Sequence, residues 1–154
     1  MIWAAAISRI IANHDPKLLD PDLVAFPATV QNVGVEGYLD AEAQRIELTA
    51  AMNRFHKEYD FLVSPTLLTL PFPLHQLGPQ PDCEDWFTWA SNCYPFNLTQ
   101  QPAASLYCGM SKSGLPIGVQ IVGPRYRDEN VLSVCSLLET VIGKADFPAI
   151  PLLQ

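Results

Sequence analysis

Apolar positions recur along the chain in two rhythms, and each rhythm predicts its own elements. From Ile2 to Asn13, Trp3, Ile7, Ile10 and Ile11 fall at helical spacing, and Asp15-Pro16 ends the run. The stretch "DPKLLDPDLVAFP" then carries Pro16, Pro21 and Pro27, which predicts a connector with at most a short helical turn. A clearer helix begins at Asp40, a good N-cap, with Glu42 near the positive end of the dipole. Leu48, Met52, Phe55 and Tyr59 form its apolar stripe, and Gln44, Arg45, Glu47 and Arg54 its polar face.

"FLVSPT", from Phe61 to Thr66, predicts a short buried strand that Pro65 ends. From there to Pro102 the chain is rich in proline and mostly irregular. Its one predicted helical piece is "DCEDWFTWASNC", with Trp86, Phe87, Trp89 and Ala90. A connection of that length inside a domain is usually functional or disordered, and its aromatic residues argue against disorder.

After Pro102 the rhythm changes to period two. Leu106, Cys108 and Met110 alternate with Ser105, Tyr107 and Gly109, while Ile117, Val119 and Ile121 alternate with Gly118 and Gln120. "SKSG" between them has hairpin-turn chemistry, so the two strands pair. Gly118 inside a strand predicts a close approach to its backbone. Asp128 then caps a helix with Val131, Val134, Cys135, Leu138 and Val141 on one side, and Gly143 stops it. The tail "DFPAIPLLQ" reads as an irregular segment lying on an apolar surface. A hairpin and one further strand need more sheet to be stable, so the chain reads as part of something larger.

Composition narrows the choice of partner. With 154 residues, 49% of them hydrophobic and 16% charged, the chain has the material for one packed domain with no internal boundary. A formal net charge of -7 disfavours nucleic acid and anionic membrane surfaces, both of which need a basic face. "MIWAAAISRIIANHD" has no basic lead-in and is broken by Arg9, so no signal peptide is expected, and no apolar run is long enough to span a bilayer. Cys83, Cys93, Cys108 and Cys135 lack C-x-x-C spacing, and reduced thiols in the cytoplasm are the expectation.

Single-residue chemistry is sparse. Ser111 and Lys112 are neighbours at a hairpin tip, where a lysine is neither desolvated nor aimed at the hydroxyl, so the turn reading wins. His14, His56 and His75 have no ligand spacing, and His56 falls on the polar side of its helix. Cys108 alternates with Leu106 and Met110 and is expected in a core face. Asp82, Glu84 and Asp85 cap and solvate the Trp86 piece, without calcium-loop spacing. The aromatic set Trp86, Phe87, Trp89, Tyr94 and Phe96 packs a core or lines an apolar pocket. Asn97, Thr99, Gln100 and Gln101 follow on a loop, where they hydrogen-bond a carbonyl or amide, or hold a turn.

"FLVSPT", followed downstream by "PFNLTQQPAASLYCGMSKSGLPIGVQIVGPR", resembles the carboxy-terminal part of the amidase signature family. The helix "DAEAQRIELTAAMNRFHKEYD" fits the segment that precedes the strand, and the resemblance covers Asp40 to Leu138 and, more weakly, the residues before. It implies an α/β fold, part of the amidase signature fold, with a mixed β-sheet flanked by helices that is incomplete as a sheet. It also implies a nucleophilic serine, a bridging serine and a buried lysine, all upstream of the region present here. The sequence has no Gly-Gly and no Ser-Ser dipeptide, so no catalytic residue is assigned and this chain alone is expected to be inactive.

Trp86, Trp89, Asn97, Thr99 and Gln101 are the expected substrate-pocket residues, for a small-molecule amide in the intact parent. No cofactor or metal is implied. Gln100 departs from the family, which commonly has glycine there in Asn-x-Thr-Gly-Gln-Pro. The parent reads as a hydrolase of carboxylic amides working through a serine acyl-enzyme. Two alternatives stand: the amidase subunit of a tRNA-dependent amidotransferase, or a stand-alone, non-catalytic binding or assembly module. The module would oligomerise through exposed sheet edges.

Overall fold

Proline placement shapes the first part of the chain. The computed structural model describes residues 1–30, 34–83 and 88–143, and divides the chain into two units, Met1–Ala50 and Ala51–Gln154. Helix α1 (Ile2–Asn13) has the expected bounds. Its covered stripe runs Ala4, Ile7, Ile11, at i, i+3 and i+7, which leaves Ile10 44% exposed. The next stretch is not a mere connector: after a 3₁₀ turn at Pro16–Leu18, helix α2 spans Pro21–Thr29 and packs against α1. Asp20 caps it by accepting from Asp22 N at 2.8 Å and Leu23 N at 3.3 Å. Pro21 stands at the first helical position, where a fixed φ is an advantage and an N–H has no partner to lose. A proline that looked like a breaker is a starter.

Helix α3 (Val35–Phe55) begins five residues before Asp40, which therefore lies inside it and is not its N-cap. The Gly34 carbonyl accepts the first helical bond, from Tyr38 N at 3.0 Å, and Glu36 occupies the first turn. Arg45 donates to Glu42 Oε2 through Nε at 3.0 Å and Nη2 at 2.7 Å, and the Glu42 carboxyl is held below its ordinary range chiefly by that hydrogen bond. Of the predicted stripe, Met52 and Phe55 are half-buried while Leu48 and Tyr59 are exposed. Past the helix end, Tyr59 stacks on Phe55 with ring centroids 4.8 Å apart.

The second unit is built on a sheet of order β1-β3-β2, comprising β1 (Leu62–Pro65), β2 (Ala103–Met110) and β3 (Pro116–Val122). All three described strands pair antiparallel. Pro65 ends β1 as expected, and the Ser111–Gly114 turn closes the β2–β3 hairpin through Ser111 N to Leu115 O at 2.8 Å and Gly114 N to Ser111 O at 3.0 Å. Helix α5 (Asp128–Ile142) lies on one face of the sheet. There Val131 and Cys135 meet Leu106 and Ile121, with Phe61, Ala104 and Val119 around them. Burying one such aliphatic side chain is worth roughly 1.5–3 kcal/mol. Arg127, not Asp128, is the N-cap of α5, and Gly143 closes it as expected.

Three further expectations change. "DCEDWFTWASNC" is not a helix over its described part, which holds only a 3₁₀ turn at Thr88–Ala90. Glu84, Asp85, Trp86, Phe87 and the "DFPAIPLLQ" tail lie outside the described residues. Instead a short helix, α4, spans Tyr94–Thr99, so Asn97 and Thr99 sit on a helix and not on a loop. Pro95 fits its first turn, and Phe96 and Thr99, three apart, bury one face.

Cys108, finally, is exposed and out of the core, because the β2–β3 register slips between Tyr107 and Gly109. The bulge leaves Cys108 unpaired and interrupts the alternation that would have turned it inward beside Leu106. No disulfide joins the four cysteines, and among the described residues no helix is long and apolar enough to cross a membrane. Burial pushes the Cys93 thiol up, and burial with the Glu139 charge does the same at Cys135. Alkylation near about pH 8, followed by peptide mass mapping, should therefore modify Cys108 well before Cys93 and Cys135. A Cys108 protected as strongly as Cys135 would put it back in the core.

Candidate functional site

The face of the sheet turned away from α5 carries a polar row, whereas the face under α5 is apolar. Ser64, Gln120 and Ser105 lie side by side across β1, β3 and β2, and Tyr107 pairs with Gly118 one step along. Thr66 continues the β1 edge by donating its N–H to Gly118 O at 3.0 Å. Period-two alternation places Ser64, Thr66, Ser105, Gly118 and Gln120 opposite the Leu106–Ile121 core. Over Gly118 the Thr66 and Ser105 hydroxyls meet at 2.7 Å. A Cβ on Gly118 would fall 2.9 Å from each of those oxygens, which is the close approach that a glycine in mid-strand predicts.

Gln120, 5% exposed, uses its amide to bind the long loop: Nε2 donates to Asn92 O at 2.8 Å and to Ser64 Oγ at 3.3 Å. Asn92 Nδ2 in turn donates to Pro65 O at 3.0 Å, and Cys93 Sγ donates to Thr66 O at 3.1 Å. A buried carbonyl without a donor costs about 1–3 kcal/mol, so these bonds are what let the loop lie against the strand ends. Beside them opens a cleft of about 410 Å³, with Leu67, Leu70, Tyr107 and Ile117 in its walls and Thr66, Ser105 and Gly118 among its lining. The site is therefore uncharged. It offers hydroxyls, amides and apolar surface.

Of the residues expected from sequence, Thr99 and Gln101 come together and are both buried. The Thr99 hydroxyl meets Gln101 Oε1 and also donates to Pro95 O at 2.9 Å, while Gln101 N donates to Phe96 O at 3.2 Å. Asn97 faces solvent on α4. Trp89 is half-buried on the long loop; its Nε1 donates to Leu77 O at 2.7 Å and its ring meets Phe72 edge-on at 5.3 Å. Trp86 lies outside the described residues. Gln100 is the left-handed C-cap of α4, at φ 60° and ψ 34°, a conformation that costs a side chain with a Cβ roughly 1–2 kcal/mol. Among the described residues no group of three His, Cys, Asp or Glu side chains converges to hold a metal.

Sequence reasoning missed Ser64, Thr66, Asn92, Ser105 and Gln120 as one constellation. Its signal was present in the alternation: the same period that sets Val119 and Ile121 inward sets Gly118 and Gln120 on the other face. What the alternation lacks is strand order, and only the β1-β3-β2 arrangement lines those residues up.

Comparison with known proteins places this geometry in a family. The amidase family model matches residues 6–132. A glutamyl-tRNA(Gln) amidotransferase subunit from Halothermothrix orenii is 33% identical over 105 residues, covering 68% of this chain and 21% of that protein. An acylamidase from Rhodococcus erythropolis is 35% identical over 115 residues, covering 69% of this chain and 23% of that protein. The solved structure of a 6-aminohexanoate cyclic dimer hydrolase shares the fold with a TM-score of 0.76 and 22% identity, over 92% of this chain and 33% of that one. The chain belongs to the amidase signature family. It spans between a fifth and a quarter of the length of the curated relatives it matches.

Two substitutions check the site's construction. Gly118→Ala should push the Thr66–Ser105 hydroxyl pair apart and destabilise by about 1–3 kcal/mol. Gln120→Leu should cost about 1–3 kcal/mol by leaving the Asn92 carbonyl without a donor. Urea-unfolding midpoints measure both, and a neutral Gln120→Leu would show that the loop is held by other means.

Proposed function

We propose that this chain forms the carboxy-terminal part of an amidase signature hydrolase that cleaves carboxylic amides, and that it is inactive alone. The observation carrying this reading is the uncharged row Ser64, Thr66, Ser105 and Gln120 beside an apolar cleft of about 410 Å³. Such a wall suits a neutral amide: the Thr66 and Ser105 hydroxyls that line the cleft meet its polar group, and the leucine side chains take its apolar substituent. Trp89, Asn97, Thr99 and Gln101 do not line this cleft, and in the intact parent they would shape the rest of the substrate pocket.

In the parent, a serine upstream of this region attacks the amide carbonyl. Its oxygen bonds to the carbonyl carbon, the C–N bond breaks, and the amine leaves with a proton. Water then cleaves the acyl ester, returning the serine and releasing the acid. The part of the enzyme carrying that serine would continue the three-stranded sheet and cover the apolar residues left outside on α5, where Leu137 is 65% and Val141 79% exposed.

A second reading has its own support, since several relatives at 31–39% identity are glutamyl-tRNA(Gln) amidotransferase subunits. In that case the leaving ammonia is passed on instead of lost, and the enzyme needs further chains as partners. Glutamine-dependent transfer in a reconstituted complex, without turnover of simple amides, would favour it.

The intact mass of the native gene product, taken with its activity on aryl and alkyl amides, tests the first reading. The expected product exceeds the 17.0 kDa of this chain several-fold and hydrolyses amides, whereas the isolated 154 residues do not. A native product of 17.0 kDa would leave the assembly-module reading in its place.

A further inference from the structure

Three described residues other than glycine hold a positive φ: His75 at 66°, Gln100 at 60° and Tyr126 at 63°. Two of them meet on one guanidinium. Arg125 Nη2 donates to Gln100 Oε1 at 2.7 Å and to the Tyr126 hydroxyl at 3.0 Å, and its Cζ lies 5.1 Å from the Tyr126 ring centroid. Gln100 lies on the connector from α4 to β2, and Tyr126 on the connector from β3 to α5. The main chain joins the same two connectors, through Gly123 N to Pro102 O at 2.9 Å.

Glutamine and tyrosine have no local preference for the left-handed region, which glycine, asparagine and aspartate usually occupy. Such conformations persist only where their surroundings over-determine them. Arg125 supplies that surrounding with a charge-assisted hydrogen bond, a hydroxyl contact and a ring face. The residue after Gln100 is Gln101, buried against Thr99 and bonded to the Phe96 carbonyl. The turn at Gln100 thus sets both the chain's entry into β2 and the place of the Thr99–Gln101 pair.

We propose that Arg125 is a positioning residue: it clamps Gln100 and Tyr126 in left-handed conformations and so holds the Thr99–Gln101 pair in place. At Gln100 it does by bonding what a glycine does by lacking a Cβ. The clamp stands on its own geometry; its bearing on amide binding rests on the function proposed above.

The test is amide hydrogen exchange in the native gene product, read at Gln101 and Gly123. Arg125→Ala and Arg125→Lys are compared in the wild-type and Gln100→Gly backgrounds. Losing the charge-assisted bond should speed exchange at Gln101 about tenfold in Arg125→Ala, and less in Arg125→Lys, which keeps a donor. In the Gln100→Gly background, where glycine turns left-handed unaided, Arg125→Ala should change exchange by less than about twofold. Equal acceleration in both backgrounds, or none in the wild type, overturns the clamp. In a product that hydrolyses amides, Arg125→Ala should raise KM more than it lowers kcat, and an unchanged KM removes the positioning role. A product with no amidase activity would instead remove the functional reading, and the exchange cycle would still decide the clamp.

Discussion

Strand β3 is hydrogen-bonded on both edges and covered on one face by α5, and the second unit depends on that double constraint. Ile121 and Val122, at 1% and 0% exposure, leave no room for a slip in register. A shift of one residue would drive Gln120 into the Leu106–Val131–Cys135 cluster and turn Ile121 out among the hydroxyls. The hydrophobic contact with α5 therefore also fixes the polar face. Ser64, Gln120 and Ser105 line up because packing against α5 commits the opposite side of β2 and β3, and the β1–β3 register carries Ser64 into the same row.

The constraint extends into the long loop. Gln120 is a buried amide in a central strand, and such a group must be satisfied. It takes its partner from Asn92, and Asn92 and Cys93 bond back to the end of β1. A segment with little regular structure is ordered this way by side-chain bonds to strand ends, with Trp89 anchoring its middle through the Leu77 carbonyl. Rigid strands and a loop bound to them at named points are how a fold positions a binding wall.

Much of this was legible in the residues themselves. The bounds of α1, the end of β1 at Pro65, the hairpin turn at Ser111–Gly114 and the close approach at Gly118 all follow from local pattern. Proline's effect depends on its position in the element: Pro21, expected in a connector, and Pro95 both sit in first turns, where they assist helices. Asp40 looked like a cap because aspartate suits caps, yet the residues from Val35 to Leu39 continue the helix, with Gly34 supplying its first acceptor.

Family membership, the strand alternation and the hairpin turn are written in residue type and short-range spacing, whereas the polar row of the wall needs the β1-β3-β2 strand order. Tertiary structure alone decided that Cys108 leaves the core at a bulge, that Thr66 and Ser105 meet over Gly118, and that Arg125 joins Gln100 to Tyr126. Thr66 and Ser105 are 39 residues apart, and Arg125 and Gln100 are 25 apart. No local periodicity encodes a contact of that range. It arises when an antiparallel sheet brings distant strands to a fixed separation and register, after which side-chain chemistry selects the bond that forms.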